Sequence, residues 1–188
     1  MTNEPLHYMN LSEDLEEKMH LDLHRYLTAA GKTDTILPEC PDLEDWWPQL
    51  LAAYLPDGIR EYADYPVVSL GWIMFVGMAM ARYWDTDWEK YRNDGAAATY
   101  VALRDADGFD NMDDHILLQV LHLDASEAQQ TSRIAGECAA RMHHTLLTAG
   151  IEPGTPEAFS AYTSALHQLY LMGIAIELKS LGYHMKAL

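Results

Sequence analysis

The longest apolar stretch of the chain lies in its middle, between Val67 and Ala81. These 15 residues carry no charge, and an aromatic and acidic run from Arg82 to Arg92 follows them directly. A helix that is apolar on every side has to be buried on every side, in a protein core or in a membrane. The pattern therefore predicts a buried helix over about residues 66–92.

The length of the uncharged run favours a protein core over a membrane. A spanning helix needs about 20 consecutive apolar residues, and this shorter run also contains Ser69, Gly71 and Gly77. A signal peptide would stand at the N-terminus behind basic residues, whereas the N-terminal stretch here is acidic. We therefore interpret the run as the central helix of a soluble core, in a protein with no membrane partner. Gly71 and Gly77 are expected to let neighbouring helices approach it closely.

Helix boundaries are marked by capping patterns. Thr155 followed by Pro156 is typical of a helix start, and apolar or small residues continue from there at steps of three and four as far as Ile176. Ser126 and Gln129 have the spacing of a capping box, and that helix is expected to end at Ala149. The remaining predicted helices cover residues 12–30, 45–55, 59–63, 96–104 and 110–123.

The chain contains no convincing strand pattern, because no stretch alternates apolar and polar residues with β-branched enrichment. Leu, Ala, Met, Glu and Gln are abundant, and these residues favour helix. We therefore predict an all-α fold of six to eight helices around the central helix. One domain is expected over residues 1–188, with any disorder limited to residues 1–10.

The charge of the chain excludes one class of partner. Twelve Lys and Arg residues face 29 Asp and Glu residues, for a net charge of −17. Nucleic-acid binding depends on neutralising phosphates with Lys and Arg, so no nucleic-acid partner is expected. Two cysteines far apart in the sequence, Cys40 and Cys138, indicate no disulfide framework. A cytoplasmic location is the default expectation for such a chain.

Histidines and one glutamate form the best candidate for a metal site. Glu17, His20 and His24 are spaced to share one face of a helix, and Glu and His suit zinc or iron. A second Glu-x-x-His, as in di-iron bundles, is absent from the sequence. The alternative is a solvated acidic helix whose histidines pair with neighbouring acids. Further histidines would have to complete the ligand set in space: His115 and His122, predicted to share one helix face, and His143 and His144.

An acidic motif offers a second, different chemistry. Asp110, Asp113 and Asp114 read D-x-x-D-D, and acids at such spacing can hold Mg²⁺ against diphosphate oxygens. No clear second acidic motif and few basic residues accompany it. The alternative interpretation is an acidic helix start that complements the helix dipole.

Three aromatic residues form the candidate binding stripe. Trp84, Trp88 and Tyr91 follow the i, i+4, i+7 spacing of one helix face. Such a stripe can line a ligand pocket or a partner groove, or it can be the core-facing edge of an amphipathic helix.

No nucleophile elbow, P-loop or dinucleotide-binding motif occurs in the chain. We therefore expect a non-enzymatic helical protein that binds a protein partner, a second copy of itself or a small apolar ligand, with no cofactor. A metal-dependent helical-bundle enzyme, with a divalent transition metal, is the alternative. Magnesium-dependent diphosphate chemistry is the third hypothesis.

Overall fold

The computed structural model describes residues 4–184, and the side chains from residue 13 onward. The prediction of disorder in residues 1–10 falls partly on residues 1–3, which lie outside the described residues. The helices of the described range are α1 (Glu4–Ala29), α2 (Pro41–Asp45), α3 (Trp47–Asp64), α4 (Pro66–Asp94), α5 (Ala96–Asp107), α6 (Met112–Asp114), α7 (Ala125–Thr148) and α8 (Pro156–Ser180).

The fold is an all-α bundle around the long central helix α4, as the sequence predicts. Residues 69–81 of α4 are buried with the exception of the half-buried Trp72. Helix α8 packs along α4 most extensively, while α3 and α7 cover other sides of it. The helix that is apolar on every side is thus surrounded by other helices, which removes its apolar surface from water.

Two glycines allow α4 and α8 to cross at backbone contact. A Cβ on Gly77 would overlap the backbone oxygen of Tyr170, and a Cβ on Gly173 would overlap the backbone oxygen of Met74. The predicted close approach at Gly77 is therefore confirmed. Gly71 differs, because a Cβ there would make only an ordinary 3.7 Å contact with the Cβ of Ala139.

One helix in the described part of the chain, α4, passes the length and composition test for a membrane-spanning segment. Its most apolar window is 67% buried inside the fold. Core helices of soluble proteins pass the same test when neighbouring helices cover them. The absence of a membrane partner stays a prediction.

The capping box of α7 lies two residues earlier than the sequence predicts, so the assignment to Ser126 and Gln129 is wrong. Asp124 has extended backbone angles, and its carboxylate accepts a hydrogen bond of 2.8 Å from the amide of Glu127. The Glu127 carboxylate accepts in return from the amide of Asp124, at 3.2 Å. Aspartate and glutamate satisfy the same orphan amides as the serine and glutamine pair would.

Helix α3 does not stop near Leu55, because it continues through Pro56 to Asp64. Tertiary contacts hold the turn after the proline. The buried carboxylate of Asp57 accepts hydrogen bonds from Tyr100 (2.7 Å) and Arg104 (3.1 Å), both on α5. The carbonyl of Gly58 accepts a 2.8 Å hydrogen bond from Ser69. These bonds offset the amide that a proline lacks within a helix.

Candidate functional site

A cleft of about 370 Å³ lies between α1, α8, α2 and the segment of residues 30–40 that links α1 to α2; we call it the α1–α8 cleft. Its apolar wall consists of Ile36, Leu37, Pro38, Leu171, Ile174 and Ala175. Its polar groups are His20, His24, Thr35, Glu39, Glu44 and the thiol of Cys40. The volume and the mixture of an apolar wall with a few polar groups are typical of small-molecule sites.

Helical periodicity brings these side chains to the cleft. On α1, Met19, Leu23 and Leu27 are fully buried, so His20 and His24 lie at the edge of the buried face. On α8, the half-buried Leu171 and the buried Ala175 stand one turn apart along the cleft. The cleft therefore forms where the apolar faces of two helices diverge around polar residues.

Contacts of Asp34 hold the linking segment in place. The backbone carbonyl of Asp34 accepts a 3.0 Å hydrogen bond from Nε2 of His24. Its carboxylate lies 3.0 Å from Nζ of Lys179 and 3.1 Å from Nδ1 of His184. Hydrogen bonds from His184 and Lys179 lower the pKa of Asp34. The segment that closes the cleft is thereby joined both to α1 and to the end of α8.

A chain of hydrogen bonds orients the ring of His20. The Glu16 carboxylate accepts from Nδ1 of His167 at 2.9 Å, and this bond lowers the pKa of Glu16. Glu16 also bonds the side chain of Gln168; because an ionised carboxylate only accepts, the amide NH₂ group must be the donor. The amide oxygen of Gln168 is then left to accept from Nδ1 of His20, at 2.9 Å. His20 therefore carries its proton on Nδ1.

The two cleft histidines consequently each keep one ring nitrogen unprotonated when neutral. His20 donates through Nδ1, so its Nε2 holds a lone pair; His24 donates through Nε2 to a carbonyl, so its Nδ1 holds one. Within residues 13–184, neither lone pair has a hydrogen-bond partner. The ring centroids are 5.9 Å apart. In their neutral forms, the two rings thus offer two neighbouring acceptors.

The remaining polar groups make the cleft electronegative. Burial and the neighbouring Glu39 raise the pKa of Glu44, while the nearby His167 lowers it. Within the described residues, neither Glu39 nor Glu44 forms a side-chain hydrogen bond or an ion pair. Burial raises the pKa of Cys40 to about 11, which keeps its sulfur a neutral thiol. No Lys or Arg of the described residues lines the cleft.

The predicted metal set is only partly brought together. His20 and His24 line the α1–α8 cleft, whereas Glu17 lines a different groove between α1 and α7, which His144 also lines. In the described part of the chain, no three side chains of His, Cys, Asp or Glu are arranged to hold one metal ion. The hypothesis of a divalent transition metal keeps at most the pair of histidines as its basis.

His115 and His122 do not share a helix face, and the prediction of one helix over residues 110–123 is wrong. A 3₁₀ turn (Phe109–Asn111), α6 and a π-helical stretch (His115–Val120) follow one another there. His122 lies beyond them with a positive φ of 55°, and the wider π turn changes the helical repeat. Nδ1 of His115 is instead 2.8 Å from the carboxylate of Asp107.

His143 and His144 lie on α7 and point to different surroundings, as adjacent helical residues must. The ring of His143 meets that of Tyr62 edge-on, with 6.1 Å between the centroids. His144 is exposed at the α1–α7 groove. Neither of these two residues lines the α1–α8 cleft.

The aromatic stripe is divided by a kink in α4, where Asp87 has non-helical backbone angles. Trp84 donates a 2.9 Å hydrogen bond to the carboxylate of Asp42, and the ring centroid of Trp88 lies 4.9 Å from that of Trp46. Tyr91 stacks on Tyr83 with 4.3 Å between the ring centroids. All three stripe residues are partly buried against the core, and each already contacts a different residue of the fold.

The aspartates of the D-x-x-D-D motif lie where α5 gives way to the irregular turns. Asp110 and Asp114 are exposed, while Asp113 is half-buried, and burial raises the pKa of its carboxyl group. None of the three lines the α1–α8 cleft. Among the described residues, no three His, Cys, Asp or Glu side chains are arranged to hold a metal ion, so the geometry adds no support for diphosphate chemistry.

The α1–α7 groove is larger, about 810 Å³, but one of the cations that line it, Arg141, is already paired. Arg141 lies 3.2 Å from Asp22 and covers the ring of Tyr26 at 4.5 Å. Its Nε atom is 3.2 Å from Glu137, as an ion pair without hydrogen-bond geometry. The α1–α8 cleft, with its unpartnered acceptors, is therefore the stronger candidate site.

Sequence reasoning missed Glu39, Glu44 and Gln168. The first two come from the linking segment and α2, and no periodicity connects them with α1. Gln168 offered a signal, because it interrupts an apolar run of α8 and is only 6% exposed. A buried amide of this kind is expected to have hydrogen-bond partners.

The fold and the cleft define an all-α bundle with a small, electronegative pocket at its side. Comparisons with protein-family models, with curated proteins and with solved structures found no match to this chain.

Proposed function

We propose that the protein is a non-enzymatic binding protein that holds a small organic molecule in the α1–α8 cleft. One observation carries the proposal: two histidines line an apolar-walled cleft of ligand size, and each has one ring nitrogen without a partner among the described residues. Among the described residues, Nε of Arg141 is the one buried side-chain nitrogen or oxygen without a hydrogen bond, so the two imidazole nitrogens are open to solvent. A bound molecule with hydrogen-bond donors would replace water at these nitrogens.

Binding is a better interpretation than catalysis because of how the histidines are held. Nδ1 of His20 donates to the amide oxygen of Gln168, and Nε2 of His24 donates to the backbone carbonyl of Asp34. Both acceptors are uncharged. Histidines that act as general bases are commonly oriented by a carboxylate, which stabilises the imidazolium form. The thiol of Cys40, with its pKa raised by burial, is a poor nucleophile at neutral pH.

A thermal-shift screen with a diverse library of small organic molecules tests the proposal on three proteins. Leu171→Trp places a larger side chain in the cleft, and Leu147→Trp is the matched control at a position that is 69% exposed on α7. A ligand at a hundred times its dissociation constant stabilises the folded state by about 2.7 kcal/mol. For a protein of this size, that corresponds to a rise in melting temperature of about 5–10 °C.

We expect compounds that stabilise the wild type and the Leu147→Trp variant but not the Leu171→Trp variant. Stabilising compounds that act equally on all three proteins would place binding outside the cleft. A library without any stabilising compound would also count against the proposal.

A further inference from the structure

We infer that the occupant of the α1–α8 cleft is an organic ammonium ion, a small molecule with one protonated amine on an apolar body. This inference rests on the proposed binding function and adds the chemical class of the ligand. It follows from three features of the cleft: the type of its hydrogen-bonding groups, its charge and its apolar wall.

Strong acceptors outnumber donors among the hydrogen-bonding groups of the cleft, where the hydroxyl of Thr35 and the weakly donating thiol of Cys40 are the other polar groups. Nε2 of His20 and Nδ1 of His24 hold lone pairs, and the carboxylates of Glu39 and Glu44 add further acceptors. A protonated primary amine has three donors and no acceptor. Such an amine therefore complements the acceptors of the cleft. A ligand that presents mainly acceptors would place its own lone pairs against those of the cleft.

The charge of the cleft points the same way. Two carboxylates line it, and within the described range neither forms an ion pair. No Lys or Arg of the described residues lines the cleft, and the one cationic group that acts on Glu44 is the imidazole of His167. An anionic ligand would meet like charge on entry, while a cation would be attracted by both carboxylates. A positive ligand would also relieve the proximity of Glu39 to Glu44.

The apolar wall argues for an organic cation over a metal ion. Six aliphatic or proline residues line the cleft, and such a surface gains free energy only from contact with an apolar body. A transition metal would need at least a third ligand, and no group of three suitable side chains is assembled among the described residues.

Calorimetric titration with three probes of one skeleton tests the ligand class: phenethylamine, 2-phenylethanol and 3-phenylpropionate. ZnCl₂ alone is the fourth titrant. We expect phenethylamine to bind the wild type with a dissociation constant in the millimolar range or below. The alcohol and the carboxylate should bind about tenfold more weakly or not at all.

Paired variants separate a local charge effect from a general one. Glu39→Gln with Glu44→Gln removes both cleft carboxylates at nearly constant size. Glu89→Gln with Glu152→Gln makes the same change of net charge at two exposed positions away from the cleft. We expect the cleft pair to weaken phenethylamine about fivefold to tenfold and the control pair to change it less than twofold.

Several results would overturn the assignment. They are equal or tighter binding of the alcohol or the carboxylate, no binding of phenethylamine, equal loss in both variant pairs, and stoichiometric zinc binding that His20→Ala abolishes. Tighter binding of the alcohol or the carboxylate would overturn the ligand class alone. The binding function would still hold if neutral or anionic compounds of the library stabilised the wild type but not the Leu171→Trp variant. Failure of the screen itself would remove both proposals.

Discussion

Helix α8 takes part in two unlike interfaces. One of them stabilises the fold by close packing, and the other leaves a cleft that a ligand could enter. Toward α4, it presents Tyr170 and Gly173, and the two backbones touch. Toward α1, it presents Gln168, Leu171 and Ala175, and a cleft stays open. The first interface has no room for a Cβ atom, whereas the second has room for a molecule.

The contrast has a physical origin in side-chain size and polarity. Glycines let two helices approach until their surfaces are in continuous van der Waals contact, which maximises packing. Longer side chains hold two helices further apart than glycines do, and the hydrogen bond between Gln168 and His20 joins α8 to α1 through two such side chains. Stability should therefore depend mainly on the α4–α8 crossing, and ligand affinity on the α1–α8 cleft. The predictions below test this division, beginning with the largest effect.

Gly173→Ala should break the tight interface. The added Cβ would overlap the backbone oxygen of Met74, and a helix backbone cannot move aside as a side chain can. We expect the free energy of unfolding to fall by about 3 kcal/mol, as for severe overpacking. Urea denaturation followed by circular dichroism measures it.

The matched control for that variant is Gly71→Ala, at which the new Cβ would make only an ordinary contact with Ala139. It should change the free energy of unfolding by less than about 1 kcal/mol, since alanine also favours helix. Equal losses in the two variants would show that the crossing has no special tightness.

Glu177→Gln should reveal how much of the stability of the α4–α8 interface depends on pH. Glu177 is 4% exposed, and burial raises the pKa of its carboxyl group to about 7 despite the ion pair with Arg82 at 2.9 Å. A pKa above the unfolded value means that the folded state holds the proton more tightly. The stabilising contribution is complete below about pH 4.5 and is lost as the pH rises through about 7.

Between about pH 5 and about pH 8, the wild type should therefore lose about 2 kcal/mol of stability relative to the Glu177→Gln variant. Urea denaturation of both proteins at four pH values in that range measures the difference. Glu157→Gln, at the start of α8, serves as the control and should follow the wild type. Parallel curves for the wild type and Glu177→Gln would contradict the prediction.

Gln168→Leu should disturb the cleft with a smaller cost in stability. The variant leaves Nδ1 of His20 and the Glu16 carboxylate each without one hydrogen-bond partner. Removing one partner of such bonds costs about 1 kcal/mol. Nitrogen NMR of the histidine rings should show His20 losing its single tautomer.

Exposed Gln129 on α7 provides the control, because Gln129→Leu should leave both the ring signals of His20 and the free energy of unfolding unchanged. A His20 ring that keeps one tautomer in Gln168→Leu would mean that the amide does not orient it.

Gly136→Ala should have the smallest effect and the opposite sign to Gly173→Ala. Gly136 lies within α7, and a Cβ there would meet no atom within 4 Å. Alanine at such a helical position is expected to stabilise the fold by about 0.5–1 kcal/mol. A rise in the urea midpoint measures it. A destabilised Gly136→Ala variant would show that open space at a helical glycine does not predict tolerance.

Local signals in the sequence were sufficient for the helical class and for several helix ends. Thr155 caps α8 as predicted, because its hydroxyl accepts from the amide of Ala158 at 3.2 Å. Pro56 misled the prediction of α3, since the bonds that hold Asp57 and Gly58 come from other helices. The π-helical stretch before His122 has no local pattern that could have revealed it.

The candidate site was predicted only in part. The i, i+4 spacing placed His20 and His24 side by side, which the structure retains. Which of their nitrogens stay free depends on Gln168 and on the carbonyl of Asp34, and these acceptors come from outside the predicted stripe. Glu39 and Glu44 reach the cleft only because the linking segment folds back over α1.

The sequence by itself determined that the protein is a helical bundle around a central helix at about residues 66–92, because an uncharged apolar helix has to be covered on all sides. It also determined that glycines lie in the two central helices. The tertiary structure decided which glycine meets which backbone, and that Glu17 and His20 face different grooves. Helical spacing fixes neighbours within a helix, whereas contacts between helices depend on the packing of the whole chain.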